Sequence, residues 1–313
     1  MLQVRVVSPP AVTERLVEYL TAHDGVINLA IGPSEARLPD GDMVQFDVMR
    51  SAANGVLAEL RGLGLYRSSS VIVQEVDAAL ADTAGRADWQ ATYHGEYAPV
   101  WDVVAANINE TAAYSPSFYA LLAFAGIIAA CGILTNSQIL VVGAMVVGPE
   151  YNAIVAIALG IERRDWAPLR RGLLALLVGF ALAIAVVLLF SLCIRGLGKP
   201  AESFLHGARP VSSLINAPNL YSVVVAVVAG IVGVLSLTLA KAGPLVGVFI
   251  SITTIPAAAD IGVSGAFGFG SEALGSFYQL LLNVGLLIIV GALTMRGQRL
   301  IWRRWLGARG EPD

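Results

Sequence analysis

Apolar and polar residues alternate in the first quarter of this chain, and apolar residues run almost unbroken through most of the rest. Leu2–Val7 alternates with the period of two expected of a half-buried strand, and Val26–Ile31, Met43–Met49 and Ser70–Val76 read the same way. Ala11–Ala22 places Val12, Leu16, Val17 and Leu20 on one helical face. Ala52–Leu60 is a second helix, ended by Gly62 and Gly64, while Gly32, Pro33, Pro39, Asp40 and Gly41 separate the second and third strands.

The resulting order, β-α-β-β-α-β over residues 1–76, predicts a ferredoxin-like α+β domain: an antiparallel sheet with helices on one face, an order shared by ACT-type regulatory domains. Residues 77–96 turn polar and small, as a linker does. Tyr97–Tyr114 then carries Val100, Trp101, Val104, Ile108 and Ala112 at helical spacing, an amphipathic helix suited to a membrane surface or another subunit. Residues 77–114 are read as linker and amphipathic helix.

Beyond residue 115 the pattern predicts spans of an integral membrane protein. Apolar runs at Phe118–Leu134, Ile139–Ile161, Leu173–Ile194, Leu220–Ala240, Leu245–Val263 and Phe277–Met295 are each long enough to cross a hydrocarbon core of about 30 Å. They form a six-helix α-helical polytopic domain over 115–295, followed by a basic tail over 296–313. The tail places Arg299, Trp302, Arg303, Arg304 and Trp305 where basic and aromatic residues anchor a membrane surface. This membrane half is written twice. Pro116-Ser117-Phe118-Tyr119 with Ala125-Gly126-Ile127 opens one copy, and Pro218-Asn219-Leu220-Tyr221 with Ala229-Gly230-Ile231 opens the other. Pro149 and Pro256 interrupt the middle span of each, and the third spans share Val178-Gly179 and Val284-Gly285. Three helices per copy invert the second copy relative to the first, so the prediction is two inverted three-helix repeats with helix breaks at matching places.

Composition agrees with this reading. At 56% hydrophobic and 14% charged over 313 residues, the chain is too apolar for an ordinary soluble enzyme. Met1–His23 lacks a hydrophobic signal core, so no cleaved signal peptide is expected. Arg163, Arg164, Arg170, Arg171, Lys241, Arg296, Arg299, Arg303, Arg304 and Arg309 fall on one side of the predicted spans, against Arg195, Lys199 and Arg209 on the other. Ten against three predicts cytoplasmic N- and C-termini in a bacterial inner membrane. The net charge of -3 arises mainly before Tyr114, and nothing basic there suggests nucleic acid. Cys131 and Cys193 fall inside spans as small buried residues, and His23, His94 and His206 are scattered. No metal site, other cofactor or catalytic constellation is expected.

The residues that hydrocarbon makes expensive carry the functional reading. Glu150 lies midway through its run, directly after Pro149, where an ionised carboxylate costs several kcal/mol unless neutralised, hydrated or paired. It is read as a proton or cation site, with a structural pair to Lys241 and a re-entrant turn nearer the surface as the open alternatives. Tyr151 and Asn152 extend the polar break. Around Pro256 stand Ser251, Thr253, Thr254 and Asp260. The hydroxyls either line a substrate path or bond back to carbonyls of their own helix. Asp260 is nearer the span end and is read either as solvated or as part of the site. Gln279 and Asn283 share one helix face, as helix glue or as ligands. Asn136-Ser137-Gln138 reads as a cap and turn.

The motifs Val142-Gly143-Ala144-Met145-Val146-Val147-Gly148-Pro149, Leu245–Ala258 with its Thr253-Thr254-Ile255-Pro256 core, and Gln279-Leu280-Leu281-Leu282-Asn283 resemble the domain-of-unknown-function 389 family, an uncharacterised family of bacterial membrane proteins. The likeness is greatest to its actinobacterial members. It covers roughly Phe118–Met295 and implies the membrane boundaries, including the places of Pro149, Pro256 and Asn283, but no substrate. Relatives often carry a neutral residue at Asp260.

The expected function is therefore a secondary transporter or ion-permeation protein. Glu150, Asn152, Ser251, Thr253, Thr254 and Asn283 would bind an unknown ion or small solute between two proline-broken helices, gated by the soluble domain. The alternative is a non-transporting, membrane-anchored oligomeric scaffold or small-ligand sensor. Expected partners are membrane lipids and further copies of the chain, helped by small residues such as Gly126, Gly230 and Gly233.

Overall fold

The computed structural model describes residues 1–76, 99–112, 114–198, 210–216, 219–238 and 254–307. It divides into two units, one comprising residues 1–105 with the chain from Arg299 onward, the other comprising Ala106–Gln298.

In the first unit, β1 (Leu2–Ser8), α1 (Pro10–Ala22), β2 (Val26–Arg37), β3 (Asp40–Val48), α2 (Arg50–Gly62), the short α3 (Leu65–Ser68) and β4 (Ser70–Glu75) follow the expected β-α-β-β-α-β order. The small sheet is antiparallel, in the order β2-β3-β1-β4. Alternation fixes its register: Leu2, Val4 and Val6 pair with Val48, Phe46 and Val44, and all six side chains are buried beside Leu16 and Leu20 of α1 and Val56, Leu57 and Leu60 of α2. Strand β2 runs on through Gly32 and Pro33 to Arg37, beyond the predicted end at Ile31. It is an edge strand, where proline's missing N–H costs no ladder bond, and its register shifts between Gly32 and Ala36 absorb the irregularity. Asp42 ties this hairpin to α1, accepting from the Ser34 N–H at 2.8 Å and from the Thr13 hydroxyl at 2.8 Å.

Helix α4 (Trp101–Thr111) starts on this unit. Asn54 of α2 donates to the Pro99 carbonyl at 3.1 Å and accepts from the Trp101 N–H at 3.1 Å, acting as a cap supplied from another helix. Asp102 pairs with Arg61 at 2.7 Å, and the Arg299 guanidinium stands 4.9 Å from the centre of the Trp101 ring. Trp101 and Arg299, both expected to reach toward a membrane surface, are thus used on each other.

The second unit is helical: α5 (Pro116–Leu134), α6 (Gln138–Val147), α7 (Glu150–Arg163), α8 (Trp166–Gly196), α9 (Pro210–Ile215), α10 (Leu220–Thr238), α11 (Ile255–Phe267) and α12 (Gly270–Gly307). Among the described residues, α5, α8, α10 and α12 are long and apolar enough to cross a membrane, and α6 with α7 forms a fifth candidate bent by 55°. The sixth predicted run, Leu245–Val263, is described only from Thr254, and α11 is 13 residues long. Apolar side chains face outward as well as inward: Leu174, Leu177 and Val178 of α8 and Leu281 and Leu293 of α12 are exposed, as in a protein whose solvent is lipid. Ser137 caps α6, accepting from the Leu140 N–H at 3.4 Å, as the sequence predicted.

The core of this unit brings α5, α6, α7, α8 and α11 together around Leu122, Ile133, Ile154, Val187, Ile255 and Val263. Gly262 permits a close approach, since a Cβ there would stand 2.7 Å from Val187 Cγ1 and 3.0 Å from the Ile184 carbonyl oxygen. Gly262→Ala is expected to destabilise the helical unit by about 1–3 kcal/mol through overpacking, read as a lower midpoint of unfolding in detergent. In the first unit, the Ser34 N–H and then the Thr13 hydroxyl hold the Asp42 carboxyl below its ordinary 3.8. A depressed carboxylate stabilises the fold above its unfolded value and loses that contribution as pH falls through the folded one. Amide-exchange protection of the β2–β3 hairpin should therefore drop below pH 3.8, and Asp42→Asn should lower it at neutral pH and flatten its acid dependence.

Candidate functional site

Helix α6 stops at Val147, Gly148 is extended (φ -66°, ψ 125°), and α7 restarts at Glu150 with Pro149 as its N-cap residue. Proline suits the start of a helix because its missing N–H would be unsatisfied there in any case. Helix α11 begins in the same way, with Thr254 at its N-cap and Pro256 inside its first turn. Two helix N-termini, about a hundred residues apart in sequence, thus each begin beside a proline.

The two N-termini meet. Thr254 Oγ1 donates to Glu150 Oε1 at 2.8 Å, and both side chains are completely buried. Gly148 closes the same point, because a Cβ there would run into the Glu150 carboxylate and would stand 2.6 Å from Ile255 Cδ1. Ile255 in turn lines an apolar crevice with Leu122, Gly126, Phe180, Ala183 and Ala258 that is too tight for water. Each N-terminus carries exposed N–H groups and the positive end of a helix dipole, so both favour negative charge on this one carboxylate.

Asn152, two residues and just over half a turn from Glu150, lines a separate cavity of about 80 Å³ with Asn107, Ile108, Tyr151, Val155 and Leu237, large enough for water. Tyr151 beside it donates its hydroxyl to the Gly233 carbonyl at 3.1 Å, linking α7 to α10. Asn283 is fully buried and accepts from Gln279 Nε2 at 3.4 Å, within its own helix. Ser251, Thr253 and Lys241 lie outside the described residues.

Asp260 is the correction. The sequence left open a solvated carboxylate near a span end, but it is fully buried. Ser212 of α9 donates to its Oδ1 at 2.7 Å, and Ser276 of α12 donates to its Oδ2 at 2.6 Å. Ser264, one turn along α11, stands beside it. Sequence reasoning missed these serines. The spacing of Asp260 and Ser264 signalled a shared helix face, whereas Ser212 and Ser276 carried no local signal.

The model of the family described as Domain of unknown function (DUF389) matches residues 145–289. That stretch resembles DUF389. No curated protein and no solved structure matches the chain. The DUF389 match names a family and no branch within it, and it begins and ends inside the helical unit. It takes in the break after Val147 and the start of α11, with Glu150, Thr254, Asp260 and Asn283, and leaves out the N-terminal sheet. With the apolar helices, the DUF389 resemblance supports a membrane protein.

Thr254→Val keeps the shape of the side chain and removes the donor to Glu150. It is expected to cost about 1–3 kcal/mol. In a double-mutant cycle with Glu150→Gln, unfolding from mixed micelles should show a coupling of at least about 0.5 kcal/mol; additive effects would mean that the two side chains do not interact.

Proposed function

We propose that this chain is a secondary transporter or ion-permeation protein, with its site where the two broken helices meet at Glu150 and Thr254. The observation that carries the reading is the buried 2.8 Å hydrogen bond between the first residue of one half-helix and the N-cap residue of another. Irregular backbone at such depth is tolerated where it is buried in protein or lines a cavity, and transporters place their sites at such breaks. Two positive helix ends converging on Glu150 favour its negative charge, so in this reading a proton or cation binds there in competition with them and is readily released. The water-sized cavity beside Asn152 provides a place from which a proton can arrive once the break opens. Ser251, Thr253 and Asn283 supply neutral ligands to the transported ion or solute in this reading, and Asn152 lines the neighbouring cavity through which the site is reached.

The finer architecture belongs to the same proposal. Six spans form two inverted three-helix repeats in a bacterial inner membrane, with both termini cytoplasmic and the ferredoxin-like domain gating the path or assembling copies of the chain. No enzymatic step is part of it.

The second reading is a membrane-anchored scaffold or sensor. It is favoured by one specific observation, that Glu150 is wholly excluded from solvent and packed against Gly148 and Ile255, as a structural pair would be.

Electrical recording separates the two. Protein reconstituted on a solid-supported membrane should pass current under a proton, sodium or potassium gradient, and Glu150→Gln should abolish it while retaining the wild-type elution profile. Undiminished current in the variant would remove Glu150 from the path. If the wild type carries neither current nor solute flux, the scaffold reading takes its place.

A further inference from the structure

A second buried carboxylate remains unused by the reading above. Asp260 is fully buried in α11, and at 1.5 Å of rise per residue it lies about 9 Å along the helix axis from Thr254. Both of its oxygens accept short hydrogen bonds, from Ser212 at 2.7 Å and from Ser276 at 2.6 Å, as an ionised carboxylate does. Yet no cation pairs with it among the described residues: Arg195, whose helix packs on α11, donates to the Ala266 carbonyl instead. A buried, uncompensated carboxylate costs several kcal/mol.

We propose that Asp260, Ser212, Ser264 and Ser276 bind a sodium-sized monovalent cation. All the donors are hard oxygens. A hydroxyl that donates its proton to the carboxylate keeps its lone pairs for a cation. Ser264 adds a third hydroxyl oxygen, fully buried beside the carboxylate. Asp260 is the one carboxylate that the three serines surround, which favours a single positive charge; Glu272, in the first turn of α12, adds negative potential that attracts a cation further. Three segments converge here because Gly275 lets α12 press against the chain after α9; a Cβ at Gly275 would run into the Asn216 carbonyl oxygen. The site is separate from Glu150 and stands whether or not the transport reading does.

The test is thermal unfolding of the purified full-length protein in detergent, titrated with sodium chloride against choline chloride at constant ionic strength. Wild type and Glu150→Gln should both gain stability saturably with sodium. Asp260→Asn, checked for a single elution peak, should lose the response, and Ser276→Ala should need about tenfold more sodium, the equivalent of about 1.4 kcal/mol. An unchanged response in Asp260→Asn and Ser276→Ala overturns the site. So does a wild type indifferent to sodium whose midpoint moves only with pH, because Asp260 is then a protonated carboxyl held by serines.

Discussion

Everything in the helical unit depends on satisfying the backbone and side-chain polarity that two helix starts leave in an apolar interior. An interrupted helix exposes N–H groups at its new start, and no lipid tail can accept from them. Here the interruption after Val147 places a carboxylate at the new start, and the start of α11 places a hydroxyl at its N-cap. Joined, they supply an anion to two positive helix ends and a donor to the anion. Gly148 is part of the same solution, since any side chain there would occupy the space of the carboxylate.

The helices around this point are held by close approach at glycines as well as by their large apolar side chains. Gly126 and Gly262 both abut Val187, so α5 and α11 are set against the same turn of α8, and Gly172 lets α8 meet Ile157 and the Ala153 carbonyl of α7. Small residues give van der Waals contact over long stretches, the main attraction left between helices once lipid removes the hydrophobic one. The broken helices are thereby braced from outside while their ends stay polar.

What the sequence revealed follows from how local each signal is. Strand alternation and the faces of α1 and α2 repeat within a few residues, so the order of the first unit was legible; the extension of β2 through Pro33 was not, because proline marks a strand end unless the strand is known to be an edge. Glu150 stood out because its cost depends only on its apolar neighbours in sequence. Thr254 was one hydroxyl among several, and its selection depends on which face of the break meets α7. Asp260 was undervalued for the same reason: Ser212 and Ser276 lie 48 and 16 residues away and come together only in the fold. Asn152 was grouped with Glu150 by adjacency, but helical rotation turns it toward a different cavity.

The meeting of the two helix starts is the central claim, and proximity in a native membrane tests it directly. In a protein whose Cys131 and Cys193 are replaced by alanine, Glu150→Cys combined with Thr254→Cys should be joined by a short bifunctional thiol reagent, while Asn152→Cys combined with Thr254→Cys should not. Cross-linking of the second pair, or of neither although each cysteine is modified singly, would contradict the account.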